Sequence, residues 1–272
     1  MPEGPEIHRE ADAIRSAIGG DESVYVYFYH NHLKEFEKEL TGRKITSVQA
    51  RGKGMIISFG DNSNIYSHNQ LYGKWMIRDA GNYPNTNRQL RLEIQTAQKS
   101  AQLYSASEID VLDAASLEEH PYLKSLGPDI LGEISVVEIV ERAKSDEFKR
   151  RSFATLLLDQ HFLGGVGNYL RTEFLFFAGI HPDKRPVDLS DEELKSFGET
   201  VLTITHRTYQ TGGITLDEER VDKLKKLGKK RKTYRFYAFN REGESCHFCG
   251  NLIKKIQKSG RRLYLCPECQ SK

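Results

Sequence analysis

The sequence predicts an α+β protein of several domains: an N-terminal helix plus β-sandwich, a helical domain, and a C-terminal four-cysteine zinc hairpin. Three observations carry this reading. Apolar residues recur first at helical spacing and then in short strand-like runs. Near Gly127-Pro128-Asp129 a helical period takes over. All four cysteines fall in the last 27 residues, as Cys246-x2-Cys249-x16-Cys266-x2-Cys269. At 272 residues and 38% hydrophobic content the chain can build two or three real cores. The expected division is a catalytic helix-plus-sandwich domain over 1–130, a helical domain over 131–222, a basic linker or loop over 223–235, and a zinc finger over 236–272.

The chain opens on Met1-Pro2-Glu3-Gly4-Pro5-Glu6. If Met1 is removed, Pro2 becomes a free secondary amine with a carboxylate beside it. An α-amino group titrates at about 7.7–8.0, against about 10.4 for lysine, so much of it is neutral and nucleophilic at physiological pH. Attack by a secondary amine on an aldehyde-level carbon leaves an iminium with no N–H to lose, and that cation is an electron sink for elimination. The plainer reading is a helix start, with Gly4 as cap, Pro5 at the first helical position and Glu3 and Glu6 at the positive end of the dipole. Ile7, Ala11, Ile14 and Ile18 then mark an amphipathic helix that Gly19-Gly20 ends.

Val24–Tyr29, Lys44–Ala50, Met55–Phe59, Asn64–His68, Lys74–Arg78, Leu90–Thr96 and Ala101–Ser105 read as short strands between Gly, Asn and Asp turns. Arg51-Gly52-Lys53-Gly54 places Lys53 at a hairpin tip, solvated or offered to a partner that glycine lets approach. In the loop ending Asn69-Gln70-Leu71-Tyr72-Gly73, an amide, a leucine and an aromatic ring stand together. They are either folded under a hairpin or free to wedge into a base stack.

Beyond residue 130, Val136–Ala143, Phe153–Leu158, Asn168–Ala178 and Asp191–Arg207 read as four helices. Gly164-Gly165-Val166-Gly167-Asn168 is a glycine turn feeding a helix, whose outward N–H groups would suit a phosphate of a nucleic-acid backbone. The paired C-x2-C turns fit one structural zinc, with Ile253–Gln257 and Arg262–Leu265 as a hairpin and Arg261 near its tip. From Arg220 to Lys272 there are 16 Lys and Arg against 4 Asp and Glu, interleaved with Tyr234, Phe236, Tyr237 and Phe239, which marks a structured face for a polyanion. No run approaches the ~18 apolar residues of a membrane span, and no signal-peptide pattern opens the chain, so a cytoplasmic protein without a membrane partner is expected.

Together, Pro2-Glu3-Gly4-Pro5-Glu6-Ile7, His68-Asn69-Gln70-Leu71-Tyr72-Gly73, the Gly165–Asn168 turn and the four-cysteine ribbon resemble the formamidopyrimidine-DNA glycosylase and endonuclease VIII family of base-excision repair enzymes, on the bacterial endonuclease VIII side. The resemblance covers essentially the whole chain. It implies a helix-two-turns-helix domain in the middle, and a monomer binding double-stranded DNA with oxidised bases or abasic sites in a cleft between the halves. It implies Pro2 as the Schiff-base nucleophile, Glu3 as the acid in glycosyl cleavage, Lys53 on a phosphate and in β-elimination, and Arg261 in δ-elimination. Gln70, Leu71 and Tyr72 would fill the gap left by a flipped base, and Gly167 and Asn168 would meet phosphate. One position departs: the family pattern places an arginine where Ser125 stands, leaving Lys124 as the nearest cation.

The function expected is excision of oxidised pyrimidines with strand cleavage by β,δ-elimination. The alternatives are the sister activity on oxidised purines, or a non-catalytic zinc-ribbon DNA-binding protein, which retention of Met1 would favour.

Overall fold

A computed structural model describes residues 2–60 and 62–271. The chain divides into two compact units, residues 1–125 and 126–272.

In the first unit, α1 (Gly4–Ile18) is followed by β1 (Tyr25–Phe28) and α2 (Lys34–Leu40). Then come β2 (Ile45–Arg51), β3 (Gly54–Phe59), β4 (Ser63–His68), β5 (Lys74–Asp79), β6 (Leu90–Gln95), β7 (Lys99–Tyr104) and β8 (Glu108–Leu112), and the short helices α3 (Ala114–Glu118) and α4 (Pro121–Lys124). The strands form two antiparallel sheets, β1-β6-β7-β5 and β2-β3-β4-β8. Between them lies one core, in which Ile7, Ala11, Ile14 and Ile18 of α1 join Val48, Ile57, Leu92 and Leu103. Each Ile, Val or Leu among them contributes about 1.5–3 kcal/mol on full burial. β3 alternates between two covered faces: Met55, Ile57 and Phe59 enter the sandwich core, while Ile56 packs with Tyr66 and Leu123 under α4. That double burial is why Met55-Ile56-Ile57 is an unbroken apolar run.

Two expectations at the amino terminus and in the sheet need correction. The cap of α1 is Glu3 and not Gly4: Glu3 is extended at φ −117°, ψ −178°, and Gly4 is already helical. The sequence reading also missed β8 and α2.

In the second unit, α5 (Val136–Lys144), α6 (Phe153–Leu156), α7 (Asn168–Phe177) and α8 (Asp191–Thr211) follow the expected order. The stretch read as a basic linker carries instead α9 (Glu218–Lys226) and α10 (Arg231–Tyr234). The cause is local: Asp217 caps α9 by accepting the Arg220 N–H at 2.8 Å, two glutamates occupy its first turn, and Val221 is buried. The chain closes with the hairpin β9 (Lys254–Lys258) and β10 (Arg261–Leu265). Leu263, Leu265, Cys246 and Cys266 share one core with Phe174, Leu175, Val201 and Ile204, so the finger is built onto the helices. Among the described residues no helix is long and apolar enough to cross a membrane.

Candidate active site

Pro2 is half-buried and leads straight into α1, and Glu3, at 3% exposed, is buried at the cap. The carboxylate of Glu6 accepts the Glu3 N–H at 3.0 Å, which meets one of the donors a helix leaves open at its first turn. Proline, carboxylate and positive helix end are therefore fixed together by the first turn. Met1 lies outside the described residues, and with it the question of its removal.

Lys53 sits in the two-residue turn joining β2 to β3, since Arg51 pairs with Gly54. Its N–H donates to the hydroxyl of Tyr122 at 2.8 Å, which ties the turn to α4. Gly54 permits this packing: a Cβ there would stand 2.7 Å from the Tyr66 ring. Tyr122 also meets His68 edge-on at 5.5 Å. Burial pushes the His68 imidazole down and Lys53 adds to this, while Glu108 pulls the other way. A neutral His68 keeps Nδ1 free to accept the Gln70 N–H at 3.0 Å.

Leu71 and Tyr72, beyond that bond, are 62% and 70% exposed, so the loop presents its apolar side chains to solvent instead of folding them under the hairpin. Gln70 is braced from both ends, accepting from Ser107 Oγ and donating to Glu108, each at 2.8 Å. Ser125 caps α4, its hydroxyl donating to the Tyr122 carbonyl at 3.0 Å, and Lys124 pairs with Glu119.

In the second unit the glycine turn differs from expectation. It is buried, and the N–H groups of Gly164 and Gly165 are used internally, donating to the Pro128 carbonyl at 2.8 Å and to Gln160 Oε1 at 3.1 Å. Gln160 also donates to the Val166 carbonyl at 2.8 Å. Gly165 adopts φ +95°, which only glycine holds without strain. The turn is thus a rigid mount for α7, and these two N–H groups do not point outward at a phosphate. Gly167 caps that helix and Asn168 begins it.

The Asn168 amide donates to the Arg262 carbonyl at 2.8 Å and accepts from Arg171 at 2.7 Å. Arg171 is fully buried, and its guanidinium also reaches the Ala154 and Arg262 carbonyls at 2.7 and 3.3 Å. This fork fixes the Asn168 amide and the start of β10 as one body. Arg261 pairs with Lys258 across the two-residue turn Ser259-Gly260, so it stands near the tip as expected, as the first residue of β10, and it is exposed. Ser259 meets Thr155 Oγ1 at 2.8 Å, which docks the tip on α6.

Sequence reasoning missed Tyr122, Gln160 and Arg171. Only Arg171 left a signal, standing three residues after Asn168 on one helix face.

The four cysteine sulfurs lie within 4.8 Å of one another. Tetrahedral zinc with Zn–S of about 2.3 Å needs sulfurs about 3.8 Å apart. Cys246 and Cys269 stand at 3.8 Å and Cys249 and Cys266 at 3.4 Å, so the set fits one structural zinc with no open position. The Phe248 N–H donates to Cys246 Sγ at 3.4 Å. The buried Gln270 accepts the Cys266 N–H and donates to the Ile180 carbonyl, each at 3.0 Å, pinning the second knuckle to the helical part.

Comparison with known proteins follows this division. Residues 1–107 match the formamidopyrimidine-DNA glycosylase N-terminal domain, 126–219 the formamidopyrimidine-DNA glycosylase H2TH domain, and 243–272 a zinc finger found in FPG and IleRS. Endonuclease 8 of Enterobacter sp. (strain 638) is 42% identical over 271 residues, spanning 99% of this chain and 100% of the relative, and Endonuclease 8 of Klebsiella pneumoniae matches equally. Wild-type Lactococcus lactis Fpg (MutM) in complex with DNA containing N7-benzyl-Fapy-dG superposes with a TM-score of 0.81 at 23% identity over the whole of both chains. The same protein in complex with DNA containing an oxidised pyrimidine gives 0.82 at 22%.

Proposed function

Because this chain belongs to the formamidopyrimidine-DNA glycosylase and endonuclease VIII family, and so is a DNA glycosylase with abasic-site lyase activity in base-excision repair, we propose that it excises oxidised pyrimidines and cuts the strand through an iminium on Pro2. The observation that carries the reading is the placement of Pro2 directly before a helix whose cap, Glu3, is a buried carboxyl.

With Met1 removed, the Pro2 nitrogen forms a bond to the sugar C1′ as the glycosidic C1′–N bond breaks, and Glu3 carries the proton that the departing base needs. Ring opening leaves a C1′ iminium. Loss of a C2′ proton then expels the 3′ phosphate, and a second elimination expels the 5′ phosphate; Lys53 assists the first step and Arg261 the second. Both are cations suited to phosphate oxygens and to the charge that builds as each leaves.

Extruding a base costs a few kcal/mol, which a wedge and phosphate contacts offset. The exposure of Leu71 and Tyr72 supports a role for them, with Gln70, as that wedge. Asn168, on its Gly167 cap, and Lys124 and Ser125 are assigned to phosphate contacts, in a monomer acting on duplex DNA. Pyrimidine preference rests on the Gln70-Leu71-Tyr72 loop and on the likeness to Endonuclease 8. The zinc supplies no chemistry: held by Cys246, Cys249, Cys266 and Cys269, it fixes the ribbon from which Arg261 projects.

Borohydride added during turnover should trap a covalent enzyme–DNA adduct mapping to residue 2. Glu3→Gln should lose base excision yet keep much of its nicking on a preformed abasic site. An adduct on a lysine, or full activity in protein retaining Met1, would overturn the mechanism. A lesion panel showing purine lesions processed faster than pyrimidine ones would overturn the specificity.

A further inference from the structure

The loop that carries Leu71 and Tyr72 is attached to the first unit unevenly. Asn69 is its one buried residue, at 3% exposed. The loop closes on Asn69, whose carbonyl accepts the Gly73 N–H at 2.7 Å, so tightly that a Cβ on Gly73 would stand 2.6 Å from Asn69 Cα. Gln70 leaves Asn69 at φ +48°, a left-handed conformation that turns the next two side chains outward. The bracing of Gln70 by Ser107 and Glu108, and of the Tyr72 carbonyl by Arg88 at 2.5 Å, comes entirely from the strand side. The Asn69 amide reaches the other way: its Nδ2 donates to Glu10 Oε2 at 2.7 Å, across 59 residues of sequence. Glu10 lies on α1 seven residues after Glu3, two turns further along one helix face.

We propose that Glu10 is a positioning residue for base extrusion: from the helix that bears Pro2 and Glu3 it grips Asn69, and so sets where Leu71 and Tyr72 stand relative to the reacting sugar. This rests on the reading of Gln70-Leu71-Tyr72 as the wedge.

The grip depends on charge. The groups facing Glu10 are Glu6 on α1, Lys74 on β5 and the Asn69 amide. Burial lifts Glu10 to about 7; the Asn69 amide and Lys74 oppose this and Glu6 adds to it. Ionised, the carboxylate accepts the Asn69 N–H in a charge-assisted bond; protonated, it holds that N–H more weakly.

The test uses the full zinc-loaded protein and duplex DNA with a reduced, uncleavable abasic site beside 2-aminopurine, whose fluorescence rises when a wedge unstacks it. Wild type should lose several-fold in half-saturating affinity for this signal as pH falls from 8 to 6. Glu10→Ala should weaken it about tenfold at pH 8, near the low end for a hydrogen bond to a charged group. Glu10→Gln, an uncharged acceptor, should fall between Glu10→Ala and wild type at pH 8, near the wild-type value at pH 6, with a flattened pH profile. Leu71→Ala separates the two ideas. If it leaves the signal intact, the wedge reading fails and the proposal with it. If it abolishes the signal while Glu10→Ala behaves as wild type, or Glu10→Gln keeps the wild-type pH profile, the wedge stands and the role of Glu10 is overturned.

Discussion

A carboxyl that titrates near 7 when folded and near 4.5 when unfolded makes stability depend on pH, and for Glu10 the direction is fixed. Between those values the folded chain binds the proton and the unfolded chain does not, so the protonated form favours folding. Stability is highest below about 4.5, falls as pH rises toward 7, and levels off above. The span is on the order of 3 kcal/mol, at 1.36 kcal/mol per unit. We predict that Glu10→Gln unfolds at higher urea than wild type at pH 8 and at similar urea at pH 5, a difference read from two denaturation curves. The residue that holds Asn69, and that we propose to position the loop, is then one that costs stability at working pH, as functional polar groups often do. Residues of this kind were illegible in the sequence. The four cysteines could be read because residue type and spacing coincide with a chemistry, and the proposal for Pro2 rests on the same kind of ground. Glu10, Gln160 and Arg171 are lone polar residues on helices or turns, which read as solvated until the fold covers them, Arg171 fully and the other two in part.

α7 shows the same limit for a whole element. Arg171-Thr172-Glu173 reads as the wet side of an amphipathic helix, yet all three are fully buried. Glu173 accepts the backbone N–H groups of Tyr237, Ala238 and Phe239 at 2.7, 2.9 and 2.9 Å, and the Thr215 hydroxyl at 2.5 Å. Burial pushes its carboxyl up while these four donors favour its charge. The helix thus holds the chain entering the zinc ribbon through one carboxylate, and the glycine turn through Gln160 holds the helix. Glu173→Ala leaves the buried N–H groups of Tyr237 and Ala238 unmet at about 1–3 kcal/mol each, and the part-buried one of Phe239 besides, so a loss of at least about 2 kcal/mol is expected in chemical denaturation. Strands and long helices were legible because period 2 and period 3.6 survive in their apolar residues. β8 went unread, and so did α9, whose Val221 and Leu224 lysines hide.

At the scale of the molecule, charge and metal are what the sequence announced most clearly, and both give tests. Lys223, Lys225, Lys226, Lys229, Lys230, Arg231 and Lys232 are all exposed on or beside α9 and α10, in a C-terminal stretch of 16 cations against 4 anions. Affinity for duplex DNA should fall with salt at a log–log slope of about −0.9 per phosphate neutralised. Changing Lys229, Lys230 and Lys232 to Ala should make that slope shallower by up to about 3 in a titration from low to physiological salt. A ribbon this small is expected to lack a sufficient core of its own; what the sequence left open was where it finds one, and its Leu263, Leu265 and Cys266 are packed among Phe174, Leu175 and Ile204. Zinc therefore holds one wall of a shared core as well as the strand that begins at Arg261. Elemental analysis should find one zinc per chain. Stripping it, or Cys249→Ser, should abolish nicking of abasic DNA and lower the melting temperature, since structural zinc contributes directly to folding. Arg261→Ala should impair nicking with the zinc and the melting temperature unchanged. Metal-free protein that nicks abasic DNA at the normal rate would refute the link between the knuckles and the placement of Arg261.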